Sequence, residues 1–183
     1  MFIHLHTHSA FSFLDGGSSI EALVKRAAEL DMPALALTDH DNLCGAVKFN
    51  ALARKAGIKP IQGLEATLTN GHHLTLLARN AEGYRNLCRI LTRAHLDNPR
   101  RHPRVSLQNL KAHAEGLIAL SGCRRGEIPC QILHGKYSGA YRSARAYLEI
   151  WSPDDFFWNC RTATSPEPGS LTFNWPDWAG NWE

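Results

Sequence analysis

No stretch of this chain approaches the roughly 20 consecutive apolar residues that a bilayer-spanning helix needs. A helical membrane anchor, and with it a membrane partner, is therefore not expected. The N-terminus, Met1-Phe-Ile-His-Leu-His6, lacks the basic region and long apolar segment of a secretory signal. Cysteine is sparse and odd in number: Cys44, Cys88, Cys123, Cys130 and Cys160 sit at scattered spacings. That argues against a disulfide framework and fits a reducing, cytoplasmic setting. A strong charge of either sign is missing too. The formal net charge of +3 permits contact with nucleic acid without arguing for it, since domains that live on phosphates usually carry a denser basic stripe. What remains is ordinary globular composition, 44% hydrophobic and 20% charged over 183 residues, enough for one domain with a real core.

Along the chain, short apolar strands alternate with helical stretches, the pattern of a parallel α/β architecture. Phe2 to His8 alternates like a strand, and Ser18 with Glu21 spells a capping box for a helix to about Leu30. Pro33 to Thr38 reads as a buried strand, and Leu43 to Ala56 as a helix stopped by Gly57. Ile61–Thr69 and His73–Ala78 read as strands that Asn70-Gly71 can join as a hairpin. Helices are expected at about 81–94, 106–114, 125–134 and 138–150, with a strand over Gly116–Ser121. Pro99 to Arg104 reads as a solvated Pro/Arg-rich loop. From Trp151 onward the text changes. All five tryptophans and four of the nine prolines lie there, and no helical or strand period survives beyond Phe157.

The chemistry-bearing residues gather at the ends of the expected strands. His4, His6 and His8 follow one another at spacing two, which on a strand points all three at one face, about 6.6 Å apart per step. Burying imidazoles requires partners. Candidates are Asp15 in a turn after the first strand, Asp39 and His40 ending the second, Glu65 ending the third, and Cys123 ending a later one. Such placement is how a parallel barrel builds a site on its carboxyl face. Imidazoles mixed with carboxylates and one thiol suit zinc, manganese or iron rather than calcium. Such clusters typically hold two or three ions that activate water and clamp a phosphoryl oxygen. His73 begins a strand instead of ending one, and on chemistry alone His72 is a near-equal choice.

The motifs His4-Leu-His-Thr-His-Ser9, Leu14-Asp-Gly16, Leu37-Thr-Asp-His40, Gly57-Ile-Lys-Pro60, His73-Leu-Thr-Leu-Leu77 and Leu120-Ser-Gly-Cys123, in this order, resemble the PHP (polymerase and histidinol phosphatase) domain. Gly57-Ile-Lys-Pro-Ile-Gln-Gly-Leu-Glu65, Gly83-Tyr-Arg-Asn-Leu87 and Gly126-Glu-Ile-Pro129 resemble its polymerase branch, the opening domain of bacterial DnaE-type DNA polymerases. The resemblance runs from residue 2 to about 157. It implies a distorted seven-stranded (β/α) barrel with nine metal ligands, seven of which fall on His6, His8, Asp15, His40, Glu65, His73 and Cys123. It thereby selects His6 and His8 over His4, and His73 over His72. The other two belong to an Asp-x-His motif, and no Asp-x-His follows residue 123. The expectation is an incomplete barrel whose last strands are missing.

The resemblance further implies zinc or manganese in two or three sites, partially held here, with Asp15, His40 and Glu65 at the reacting centre. It implies DNA as partner through a parent replicative or error-prone polymerase, other replisome subunits, and a remnant 3′→5′ exonuclease. The alternatives are a stand-alone phosphoesterase of the histidinol-phosphatase kind and a non-catalytic scaffold. Domain 1–157 is set apart from a tail, 158–183, expected to be frameshifted and without stable core contacts. Codons for the family's continuation, CTG GAA CTG CAG, read one base later as TGG AAC TGC AG, which gives Trp158-Asn-Cys and the start of Arg161. Resequencing the gene decides whether the other frame opens into the rest of a polymerase.

Overall fold

The computed structural model describes residues 2–158. Its elements, in chain order, are α1 (Ile20–Glu29), β1 (Ala34–Leu37), α2 (Ala46–Lys55), β2 (Lys59–Thr67), β3 (His73–Ala78), α3 (Ala81–Leu96), α4 (Leu107–Ala112), β4 (Leu117–Leu120), α5 (Glu127–Leu133), α6 (Tyr137–Leu148) and β5 (Phe156–Phe157). The five strands form one sheet in the order β1-β2-β3-β4-β5. The expected α/β class is observed, but the sheet is mixed where the alternation had suggested parallel strands. β1–β2 and β4–β5 are parallel, while β3 runs antiparallel to both its neighbours.

The reversal at β3 has a local cause. A parallel return needs a crossover of a dozen residues or more, and the short Leu68–His72 link cannot supply one. Leu68 N donates to His72 O at 2.8 Å, and Gly71 N donates to Leu68 O at 2.9 Å. Gly71 sits at φ +83°, so the expected Asn70-Gly71 hairpin forms as a three-residue loop with glycine in the left-handed position.

Helix entries follow capping chemistry, with one shift from expectation. Ser19, not Ser18, caps α1, its hydroxyl accepting from Ala22 N at 3.2 Å, and Glu21 pairs instead with Lys48 of α2 at 2.5 Å. Asn80 and Ser106 cap α3 and α4 in the same way. The helix expected from Leu43 starts only at Ala46. Strand alternation then sorts the apolar residues. Leu35 and Leu37 pack on Ile20, Val24 and Phe49 of α1 and α2, while Ala36 faces the other way, toward Leu77 and Leu120. A larger core joins Leu64, Leu74, Leu76, Leu87, Ile90 and Ile128. Each such buried aliphatic contributes about 1.5–3 kcal/mol.

The first segment departs from a regular strand. Only His4 bridges to β1, and the two hydrogen bonds are Ala36 N to His4 O and Thr38 N to Thr7 O, each 2.9 Å. Three residues advance on one side against two on the other, which is a bulge. It breaks the period-two reading between His4 and His6.

At the other end, Trp151 is buried against the larger core and Phe156 stacks on Tyr147, with ring centroids 5.4 Å apart. Residues 151–157, where the composition changes but which the expected domain 1–157 includes, thus pack on the fold. Trp158 is partly buried against the same core. The remaining expectations for the tail fall on 159–183, outside the described residues. Among the described residues no helix is long and apolar enough to cross a membrane.

Candidate metal centre

The bulge presents His6 and His8 together. Their Nε2 atoms are 3.0 Å apart, whereas His4 is exposed and meets Phe2 edge-on. His40 follows β1 and bridges Glu65 of β2. Because β3 is antiparallel, its first residue lies where β2 ends: Thr67 pairs with His73, and Glu65 with Thr75. His73 thus joins the carboxyl ends of β1 and β2 by starting its strand. His72, next to it, is more exposed and contacts Arg125 O at 3.2 Å.

Glu65 is the hub. It is 1% exposed, and four imidazoles surround its carboxylate: His6 Nε2 at 3.3 Å, His8 Nε2 at 3.3 Å, His40 Nε2 at 3.1 Å and His73 Nδ1 at 3.5 Å. His40 Nε2 also meets Asp15 Oδ2 at 2.6 Å. The His8 and His40 rings stack with centroids 4.5 Å apart. Three overlapping trios have ligand atoms within 4.8 Å of one another: His6, His8 and Glu65; His8, Asp15 and His40; His40, Glu65 and His73. Cys123 is outside these trios and stands beside His73.

The electrostatics suit a cation. Burial alone would raise Glu65, but hydrogen bonding from His6, His73 and His8 holds its carboxyl far below the usual range. Cys123 and Glu65 together raise His73 to about 9, against the opposing effect of burial. The hydrogen bond from His40 lowers Asp15. Glu65 Oε1 and His73 Nδ1 are nonetheless buried without an aligned hydrogen bond. Such atoms cost about 1–3 kcal/mol each when left unpaired. A donor set of imidazoles and carboxylates whose atoms converge in this way fits divalent metal ions.

Sequence reasoning set Asp39 among the possible ligands, and missed Ser9 and Ser12 altogether. Asp39 is buried and faces the chain, not the cluster. It accepts from Ser9 N, Ser9 Oγ and Ser12 Oγ, each at 2.7 Å. Ser12 Oγ in turn accepts from His40 N and meets His8 Nδ1, both at 3.0 Å. This network ties the 9–12 loop to the end of β1 and aims two imidazoles at Glu65. The only hint in the sequence was the small polar Ser9-x-x-Ser12 spacing directly after the histidines.

The sequence model of the PHP domain matches residues 4–163. An error-prone DNA polymerase of Symbiobacterium thermophilum is 49% identical over 172 residues, covering 85% of this chain and 16% of that protein. A DNA polymerase III subunit alpha of Treponema pallidum is 41% identical over 170 residues, covering 85% and 14%. The chain thus spans 14% to 16% of the length of these curated relatives. The solved structure of an amidohydrolase from Chromobacterium violaceum overlaps 84% of this chain and 51% of its own, at 26% identity and a TM-score of 0.43.

Proposed function

Because this chain belongs to the PHP domain family, we propose that it is the metal-binding N-terminal part of a bacterial DnaE-type DNA polymerase, with DNA and replisome subunits as its partners through the whole protein. The observation that carries the metal reading is Glu65, a buried carboxylate ringed by four imidazole nitrogens at 3.1–3.5 Å. His6, His8 and Glu65 would hold one ion, Asp15 with His8 and His40, and His73 with His40 and Glu65, would hold others, and Cys123 beside His73 would add a thiol ligand. When bound, zinc or manganese ions supply Lewis acidity, activating water and neutralising charge on a phosphoryl oxygen.

The chain's own residues position that chemistry. Glu65 contacts imidazoles from three segments, and Asp15, half-exposed on its loop, is the carboxylate of the cluster most open to solvent. The reaction class is hydrolysis of the 3′-terminal phosphodiester of DNA. Seven of the family's nine ligands fall on residues of this sequence.

Metal content decides the site. The purified protein is expected to carry zinc or manganese at substoichiometric occupancy, and His6→Ala/His8→Ala together to abolish it. Full retention in the double variant overturns the assignment. Occupancy falls as the pH drops through the histidine range, since a ligating imidazole must be neutral.

A further inference from the structure

The parallel pairing of β1 with β2 resumes beyond the end of β1, at the metal centre. Glu65 N donates to Asp39 O at 3.1 Å and Asp41 N donates to Glu65 O at 3.0 Å, which seats His40 and Glu65 side by side. In an evenly spaced parallel ladder the next rung runs from Thr67 N to Asp41 O. The chain does not make it, because Asp41 sits at φ +48° and turns out of the strand. Its carbonyl meets α3 instead and accepts from His95 Nε2 at 2.9 Å.

The Asp41 carboxylate takes the place of the missing rung. Oδ1 accepts from Thr67 N at 2.8 Å, and Oδ2 accepts from Thr67 Oγ1 at 2.6 Å. Short acidic side chains can stand in for a backbone acceptor in this way. Both oxygens are engaged with Thr67, and Asp41 belongs to none of the three ligand trios. Thr67 in turn pairs with His73 across β2 and β3. The row Asp41–Thr67–His73 therefore lies one step beyond His40–Glu65 and ties together three segments that carry ligands.

We propose that Asp41 is a positioning residue of the metal centre, whose clasp on Thr67 holds His40 and Glu65 in register and sets His73 against them. Without the clasp the ladder would end at Glu65 itself. Pairing at such an end opens at little cost, and His40 Nε2 would lose its fixed 3.1 Å separation from Glu65. Groups that orient metal ligands are typically worth about 10–100-fold in affinity. The proposal rests on the metal reading of the centre and adds what fixes the spacing of its ligands.

The backbone at Asp41 makes clean substitutions available. Asparagine tolerates the left-handed region as aspartate does, and glycine enters it freely. Asp41→Gly thus removes the carboxylate without backbone strain. Asp41→Asn keeps an acceptor for Thr67 N and offers a donor to Thr67 Oγ1.

Two measurements test the role. In the metal-free protein, hydrogen exchange followed by NMR reads the ladder directly. Asp41→Gly is expected to speed exchange of the Thr67 and Glu65 amides about tenfold or more, and to leave Val24 in α1 unchanged. In zinc titrations against a chromophoric chelator, Asp41→Gly is expected to bind about tenfold more weakly or worse. Thr67→Val, which removes only the hydroxyl, should fall between it and the parent. Asp41→Asn should recover both readouts to within about threefold. Tyr147→Phe removes a hydrogen bond to Glu127, far from this ladder in sequence, and should keep the parental zinc affinity.

An equal loss in Tyr147→Phe would assign the effect to general stability and overturn the role. Parental zinc affinity in Asp41→Gly, unchanged exchange at Glu65, or no recovery in Asp41→Asn would overturn it as well. A parent chain that binds no zinc overturns the metal reading, and the proposal with it. The exchange data, taken without metal, keep the two failures apart.

Discussion

Ser12 carries the most consequence per atom in the metal centre. Its single hydroxyl proton goes to Asp39 Oδ1 at 2.7 Å, so toward His8 Nδ1 at 3.0 Å it can only accept. That holds a proton on His8 Nδ1, so that Nε2, which faces Glu65, is the nitrogen that would ligate an ion. Partners of this kind fix the tautomer and ring orientation of metal-ligating histidines, and their loss typically costs about 10–100-fold in metal affinity. Ser12→Ala is therefore expected to weaken metal binding about tenfold or more in competition with a chromophoric chelator, with the fold intact by circular dichroism. Unchanged affinity would assign Ser12 to loop structure alone. The serine was invisible in the sequence because nothing local distinguishes a buried orienting hydroxyl from a surface one. The histidines were legible because three imidazoles at spacing two have few uses.

At the scale of elements, the two helices after β4 are joined by a polar lock. Tyr147 of α6 donates to Glu127 Oε2 of α5 at 2.7 Å, and Ser143 and Gln131 donate to Oε1 at 3.0 and 3.4 Å. Burial, with the Glu127 carboxylate as acceptor, pushes the Tyr147 phenol well above its usual range, so it stays a donor throughout the working pH range. Hydrogen bonds to charged groups are worth about 1.5–3 kcal/mol. Tyr147→Phe keeps the ring packed on Phe156 and is expected to lose roughly that much in urea unfolding. A loss under about 0.5 kcal/mol would show that water replaces the phenol. Helix positions were well legible here, since capping residues and apolar spacing are local signals. The short β5 was not, because a two-residue strand has no period to read. For Trp151, composition marks only a change of text, while packing shows that it fills the core beside Tyr147.

For the whole molecule, hydrolysis must run through the gathered ligands, because nucleophile and phosphate both have to be held within fractions of an ångström. Release of nucleotides from a DNA 3′ end is expected to depend on added manganese or zinc and to vanish with Asp15→Asn. Robust release that survives Asp15→Asn would show that the centre described here does not run it.

The sequence by itself determined the α/β class, the family, most helix boundaries and the residue types for a metal. Each of these is written in local spacing or in ordered motifs. Its bare spacing left open which histidine of each neighbouring pair belongs to the centre and pointed to His4 as readily as to His6, and only the resemblance of the ordered motifs selected His6, His8 and His73. Tertiary structure supplies the physical reason in both cases. A bulge against β1, three residues facing two, turns His4 outward and His6 inward. The Leu68–His72 hairpin runs β3 backwards, so that a residue at the start of a strand meets residues at the ends of others. Neither effect is a property of the histidines. Both come from how a neighbouring strand pairs, and pairing depends on residues about 30 positions away, such as Ala36 and Thr38 for the first segment.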